Sequence, residues 1–321
     1  LFRNNVSPRK IKVGIKLEIQ DQKLDTKSTT LAVRPWSLEA NVRPLASNVR
    51  HTLQQAIPHL RTVTDAPRLE AEVLLGHVLD ISRAALLTHP ERALTPNQRS
   101  NYQTLVRRRA SGYPLPYLTG RVEFYGLEFE VTPEVLIPRP DTETLVELAL
   151  ARRPATVVDV GTGSGCIAVS LAVHLPDAAI CAIEISPAAL AVAQRNAERH
   201  GVAGRVRFMV GDVFNPRPSP VDLVVSNPPY ISTSECASLP TSVRNHEPRL
   251  ALDGGPNGLE VVRQLLMQAP AVLNPDGGLL IEIGADQGEA ASHLARTFFP
   301  QAAVRVHPDL AGRDRVLEVS T

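Results

Sequence analysis

The sequence has no lysine after position 27, and that absence divides the chain. Its five lysines, Lys10, Lys12, Lys16, Lys23 and Lys27, all lie near the start. Residues 1–50 hold ten Lys+Arg against four Asp+Glu, and the remaining 271 hold 24 against 29. A formal charge of +1 thus joins a basic leader to a body of net −5. Such a body counts against a nucleic-acid backbone as main partner, which calls for a basic surface. Cysteine is scarce too: Cys166, Cys181 and Cys236 stand apart, with neither a C-x-x-C nor a Cys/His cluster. That pattern fits a reducing, cytoplasmic compartment and argues against a disulfide framework or structural zinc; no metal is expected. No apolar run approaches the ~18 residues of a membrane span, so no membrane partner is expected. The leader holds the single Trp36 but no secretory h-region, and its lysines and acids fit poorly with an Arg-rich transit peptide. Residues 1–47 are expected to be a disordered or non-native leader outside the folded body.

What is present suffices for one full α/β domain and a smaller companion: 321 residues, 43% hydrophobic. From Asn48 the pattern is helical. Val49–Ile57 and Pro67–Leu79 carry apolar residues at helical spacing, with Leu69, Val73, Leu74 and Val78 as one stripe and Asp65 as an N-cap. Thr95-Pro96 opens a further helix to Ala110, stopped by Gly112. The run Arg107-Arg108-Arg109 reads as a solvated last turn complementing the helix dipole. Residues 48–118 are therefore expected to be a small helical domain. Residues 119–140 form a linker, with a hairpin from Val122 to Val131 around Gly126. From 141 onward strands alternate with helices: strands at 156–160, 179–183, 206–210, 221–226 and 279–283, helices at 145–151, 166–174, 187–200 and near 258–269, and a terminal antiparallel pair at 303–307 and 315–319. A mostly parallel α/β sheet is the expected architecture.

Chemistry concentrates at strand ends. Asp159-Val160-Gly161-Thr162-Gly163-Ser164-Gly165 follows the first strand. Glycines admit close backbone approach, and the helix start behind them offers free N–H groups. The dinucleotide spacing G-x-G-x-x-G is broken by Cys166. With no pyrophosphate to cradle, Asp159 can face a ligand's ammonium group. Glu184 follows the second strand, where a carboxylate can accept both hydroxyls of a ribose. Asp212 with Val213 follows the third, where an acceptor and an apolar contact can frame an adenine. Each acid alone reads as a cap or a solvated charge. Three in this order make S-adenosylmethionine the economical ligand.

The strand Val221–Ser226 ends at Asn227-Pro228-Pro229-Tyr230. Pro228 disfavours helical geometry at Asn227, and neither proline donates a backbone hydrogen bond. The strand therefore opens into a stiff loop where open α/β sheets bind ligands. An Asn carboxamide oxygen and a proline carbonyl side by side make a seat for a planar –NH2 group, with the Tyr230 ring beside it.

With these stretches in place, the chain from about 48 onward resembles the protein-(glutamine-N5) methyltransferase family (HemK/PrmC type), whose members modify class-I peptide chain release factors. The resemblance rests on Glu123-Phe124-Tyr125-Gly126, Leu136 to Glu143, Asp159 to Gly165, Glu184-Ile185-Ser186, Gly211-Asp212-Val213-Phe214, Asn227 to Tyr230, and Glu247-Pro248 leading to Asp253-Gly254-Gly255. It implies a Rossmann-like, seven-stranded class I methyltransferase sheet over 141–321, a substrate-docking role for the helical domain, and a β-hairpin linker. It implies cofactor contacts from the Gly161–Gly165 turn, Glu184, Val213 and Asn227, with S-adenosylhomocysteine as product. It implies that Asn227, Pro228, Pro229 and Tyr230 hold the substrate glutamine of a Gly-Gly-Gln motif, with Phe124 near the pocket. Asn227, Pro228 and Tyr230 are the candidate catalytic residues. Glu184 stands where the family commonly shows Asp, and the extra methylene still permits a ribose contact.

Two rivals differ in substrate. The sister enzyme acting on a ribosomal-protein glutamine typically reads Ser-Pro after Pro-Arg, whereas this chain reads Pro140-Asp141-Thr142-Glu143. An exocyclic-amine methyltransferase of adenine or guanine would need a basic body. The expectation is thus a monomeric enzyme with class-I release factors as partner and no direct nucleic-acid binding.

Overall fold

Asn48 opens the first helix by accepting a hydrogen bond from the His51 backbone N–H at 2.9 Å, a side-chain N-cap. The structure, a computed structural model, describes residues 48–321. The leader expected over 1–47 lies outside the described residues. Helices α1 (Val49–Leu60), α2 (Pro67–Leu79), α3 (Arg83–Thr88), α4 (Pro96–Ala110) and α5 (Leu115–Thr119) form the helical part. Thr95 and Gln98 close a capping box at the start of α4. The core of this part gathers Leu60, Leu74, Leu75, Leu86, Tyr102 and Val106.

Two details of α2 differ from expectation. Asp65 is not its cap: Ala66 occupies that position without a side-chain bond, and Thr64 Oγ1 accepts the Ala66 N–H at 3.2 Å. The buried face is Ala71, Leu74, Leu75 and Leu79 together with Glu72, while Leu69 is 44% exposed. Hydropathy places a glutamate outside. Here Arg68 and Arg83 donate to the Glu72 carboxylate at 2.9 and 2.7 Å and make its burial tolerable.

Strands β1 (Arg121–Phe124) and β2 (Leu127–Glu130) pair as the hairpin, with Tyr125 and Gly126 both at positive φ in the turn. Helix α6 (Glu143–Arg152) follows a short 3-10 turn over Pro140–Thr142. Then come β3 (Thr156–Val160), α7 (Cys166–His174), β4 (Ala179–Glu184), α8 (Pro187–Arg199), β5 (Val206–Val210) and β6 (Val221–Ser226). The remainder is α9 (Thr241–Arg244), α10 (Glu260–Gln268), β7 (Leu273–Glu282), α11 (Gly288–Phe298), β8 (Ala303–Pro308) and β9 (Asp314–Ser320). Helix α11 lies outside the helices expected from the sequence, although its buried and exposed residues fall on opposite faces. In the structure Ala291 and Ala295 lie fully buried against the sheet.

The seven-stranded sheet runs β5-β4-β3-β6-β7-β9-β8, parallel through β7, with β9 antiparallel to both neighbours. Both faces are covered, so successive strand residues are apolar. Leu223, Val225 and Leu280 face the core with α6 and α7, and Val224, Leu279 and Ile281 face the core with α10 and α11. Chain order reverses between β3 and β6. Their carboxyl ends open the crevice where such sheets bind ligands.

Candidate active site

A cavity of about 250 Å³ lies at that crevice, lined by the turn after β3, the ends of β4 and β5, the Asn227 loop and the segments 134–142 and 248–251. The glycine turn is built by its neighbours. The Gly161 and Thr162 N–H groups donate to the Ile183 carbonyl at 2.8 and 3.1 Å, and Asn196 Nδ2 donates to the Ser164 carbonyl at 2.8 Å. Gly161 and Gly163 sit at φ +72° and +56°, where a side chain is strained, and a Cβ on Gly161 would meet no protein atom within 4 Å. A Cβ on Gly165 would meet Ala193 of α8 at 3.0 Å, so the third glycine serves helix packing.

Glu184 ends β4 with its carboxylate on the cavity wall, accepting the Gly163 N–H at 2.9 Å and the Ser186 N–H at 3.0 Å. Ile185 beside it is 45% exposed. Asp212 and Val213 follow β5. Val213 holds φ +52°, unfavourable for a β-branched residue, and a pair of 2.9 Å backbone bonds between Asp212 and Asn215 maintains it. Glu134, Glu184 and Asp212 line the cavity, while Arg139 at its edge is paired with Glu247 at 2.5 Å. The unpaired lining charge is negative and favours a cationic ligand.

Asn227 lines the cavity and donates through Nδ2 to Thr142 Oγ1 at 3.1 Å. Neither Asn227 Oδ1 nor the Pro228 carbonyl accepts a hydrogen bond from the described residues, so both acceptors remain available. The loop is braced from behind. The Ile231 N–H donates to the Leu252 carbonyl at 3.0 Å, the Gly254 N–H donates to the Ile231 carbonyl at 2.8 Å, and Gln287 Nε2 donates to the Tyr230 carbonyl at 2.9 Å. Gly254 packs so closely that a Cβ there would stand 2.5 Å from the Pro229 oxygen and 2.9 Å from Tyr230 Cα.

Known proteins agree in kind. The PrmC N-terminal domain model matches residues 51–120, and the Methyltransferase small domain model matches 140–242. A release factor glutamine methyltransferase of Moorella thermoacetica is 50% identical over 273 residues, 83% of this chain and 96% of that protein. Those of Geobacter sulfurreducens and Bordetella pertussis are 47% and 46% identical, over 78% of this chain in each case and 88% and 93% of theirs. The chain belongs to the release factor glutamine methyltransferase family. It is a methyltransferase with that family's two-part layout, the α1–α5 helices preceding the sheet.

In this methyltransferase the structure brings Gly161, Thr162, Gly163, Ser164, Glu184, Asp212, Val213, Asn227, Pro228 and Pro229 to one cavity. Four expected residues stand elsewhere. Phe124 is 1% exposed and packs edge-on against Phe129 at 6.1 Å, because the alternation of β1 turns it into the core and Glu123 outward. Asp159 is buried beneath the turn, where Oδ2 accepts from Thr162 Oγ1 at 2.6 Å and the Ala168 N–H at 3.2 Å, and Oδ1 has no partner among the described residues. Burial pushes its pKa up to about 7. Gly165 meets α8 rather than the cavity. Tyr230 turns behind the loop, donating to Glu282 Oε1 at 3.3 Å, and burial foremost pushes its pKa up to about 12. The Cys166 thiol on the cavity wall is likewise pushed up to about 12 by burial and stays protonated.

Three groups make contacts at the site that the sequence does not assign. Thr142, within the Leu136–Glu143 stretch, makes no capping bond at the start of α6 and meets Asn227 instead. Glu247 accepts from the Ile137 N–H at 3.2 Å as well as from Arg139, tying together the two segments that edge the cavity. Glu282 ends β7 at 1% exposure. Its signal is an acid closing the apolar run Leu279–Ile281, as Glu184 closes β4.

Proposed function

We propose that this methyltransferase transfers the methyl group of S-adenosylmethionine to the side-chain amide nitrogen, N5, of the glutamine in the Gly-Gly-Gln motif of class-I peptide chain release factors. The observation that carries the reading is the pair of open acceptors, Asn227 Oδ1 and the Pro228 carbonyl, beside an acid-lined cavity.

The residues fit the cofactor. The bare glycine turn admits a close ligand, Glu184 suits a ribose diol, Asp212 with Val213 and Ile185 suits an adenine, and the acidic lining suits an ammonium and a sulfonium. Asp159 supports the turn from below through Thr162 rather than by contact. The cofactor would supply an electrophilic methyl group on a sulfonium, from which a neutral thioether is a good leaving group.

The protein's task is the nucleophile. An amide nitrogen attacks poorly because its lone pair is delocalised into the carbonyl. Asn227 Oδ1 and the Pro228 carbonyl each accept one N–H of the substrate amide and so orient its nitrogen. As positive charge grows on that nitrogen both bonds strengthen, which stabilises the transition state over the ground state, and the methylated nitrogen then gives up one of its N–H protons to water. Pro229 walls the site, and Tyr230 holds the loop from behind. The helical part is read as the docking surface for the release factor. Tyr113 at its end lies 4.8 Å from the His246 ring, next to Glu247 at the cavity edge.

The test offers release factor, ribosomal protein and DNA side by side to the purified chain with radiolabelled methyl donor. Label on the release-factor glutamine is the expected result. Label on nucleic acid or ribosomal protein alone overturns the reading.

A further inference from the structure

The open acceptors Asn227 Oδ1 and the Pro228 carbonyl are carried on a ring of ties that can be followed residue by residue. Asn227 Nδ2 donates to Thr142 Oγ1 at 3.1 Å, and the Thr142 N–H donates to the Arg139 carbonyl at 3.1 Å. Arg139 Nη2 donates to Glu247 Oε1 at 2.5 Å, and the Ile137 N–H donates to Glu247 Oε2 at 3.2 Å. From Glu247 the chain runs through Pro248 and a 3-10 turn over Arg249–Ala251 to Leu252, whose carbonyl accepts the Ile231 N–H at 3.0 Å. Ile231 follows Tyr230 and so closes the ring on the Asn227 loop. Pro138, Thr142, Asn227, Pro248 and Ala251, taken from all parts of the ring, line one cavity.

The step from the strap 137–139 to the segment 247–252 differs from the rest of the ring. Among the described residues, both hydrogen bonds that make it end on one side chain, Glu247. That side chain is 2% exposed. An apolar residue of similar volume commonly packs as well as a buried, paired acid, so burial alone does not call for a carboxylate here. What the carboxylate supplies is two acceptors, one for a backbone N–H and one for a guanidinium, which hold the strap at two points. The start of the strap is fixed independently, by the Tyr117 hydroxyl donating to the Val135 carbonyl at 2.6 Å.

We propose that Glu247 is a positioning residue: by gripping the strap through Ile137 and Arg139 it closes the ring, and so holds Thr142, and with it the Asn227 carboxamide, in place against the 248–251 wall. It acts through these residues and touches no substrate itself. The proposal rests on the role given to Asn227 above. Opening the ring should spare the end of the cavity built by the glycine turn and Glu184, which are set by the sheet. It should loosen the end where the substrate amide is oriented. The loss then falls on kcat rather than on cofactor affinity.

The experiment uses the full chain with Glu247→Ala, Glu247→Gln, Arg139→Met and the Glu247→Gln/Arg139→Met double variant. It reads kcat and KM with whichever substrate takes the label in the side-by-side assay, S-adenosylmethionine affinity by calorimetry, melting temperature, and amide hydrogen exchange over 134–139. Glu247→Ala removes both acceptors and should lower kcat on the order of 10- to 100-fold, with faster exchange over 134–139 and cofactor affinity near the parent's. Gln offers one oxygen, so Glu247→Gln should lose less than Glu247→Ala. Arg139→Met leaves the buried carboxylate short of a partner, and adding Glu247→Gln should return kcat to the Glu247→Gln level. Unchanged kcat in Glu247→Ala overturns the proposal, as do losses that add in the double variant or that are matched by falls in melting temperature and cofactor affinity. Should Glu247→Ala fold poorly, Glu247→Gln and the double variant decide by the same readouts. Asn227→Ala separates the two readings: normal turnover there sinks the role of Asn227 itself, whereas an inactive Asn227→Ala beside normal Glu247 variants sinks only the positioning.

Discussion

Asn227 concentrates the chemistry because its side chain is held by one end. Nδ2 is committed to Thr142 and Oδ1 is left open on the cavity. Asn227→Ala removes an acceptor that binds more strongly as charge develops, so kcat should fall on the order of 100- to 1000-fold. Cofactor affinity, which draws on the glycine turn and Glu184, should change little. Single-turnover methylation together with calorimetry checks both halves, and an equal loss in the two would make Asn227 a cofactor residue instead. Val213 shows the opposite arrangement at the same scale, a β-branched residue kept at φ +52° by its neighbours' backbone bonds so that its side chain lines the cavity.

At the scale of elements, the strand β6 and its loop act as one unit with the segment 252–258. The backbones run so close that only glycine fits at 254. Gly254→Ala forces the Cβ against the Pro229 carbonyl, an overpacking cost of about 1–3 kcal/mol. The displaced loop should lose turnover beyond what the stability loss explains, while the glycine turn after β3 keeps its cofactor. Comparing the denaturant midpoint with kcat and cofactor affinity at a temperature where the variant is folded tests this. Unchanged kcat would show that the Asp253-Gly254-Gly255 stretch does not hold the loop. The hairpin is tied in the same manner: the Tyr125 N–H donates to Glu143 Oε1 at 2.9 Å, and Asn196 joins Glu130 to Ser164.

For the molecule as a whole, burial of carboxylates makes stability depend on pH. Asp159 is held near a pKa of about 7, against about 3.9 for an unfolded Asp. Between those values the folded chain keeps a proton that the unfolded chain has released. Its contribution is present in full below about pH 4 and is lost as pH rises to about 7. Asp159→Asn accepts the same bonds but cannot titrate. Its urea midpoint in the absence of ligand should therefore vary less across that window than the parent's. Parallel profiles would mean that Asp159 is ionised throughout. Glu282, also raised by burial, adds a component of the same sign that both proteins share.

Much of this was legible in the amino-acid sequence, for reasons that are local. Strands β3, β5 and β6 and helix α7 end where glycine, proline and polar residues interrupt apolar runs, and Ser186 caps α8 because a hydroxyl one residue before Pro187 can do little else. The glycine turn, Glu184 and Asn227 announce themselves by residue type at a strand end. What the tertiary structure decided depends on which groups the folded chain brings into contact, whether near in sequence or far. Glu72 is inward because two arginines meet it, and Phe124 is core because the hairpin folds onto α6 and α7. Asp159 is under the turn because Thr162 and Ala168 take its oxygen. The direction of the Asn227 amide is the clearest case. Residue type alone allows both faces, and Thr142, 85 residues away in the chain, takes the Nδ2 end.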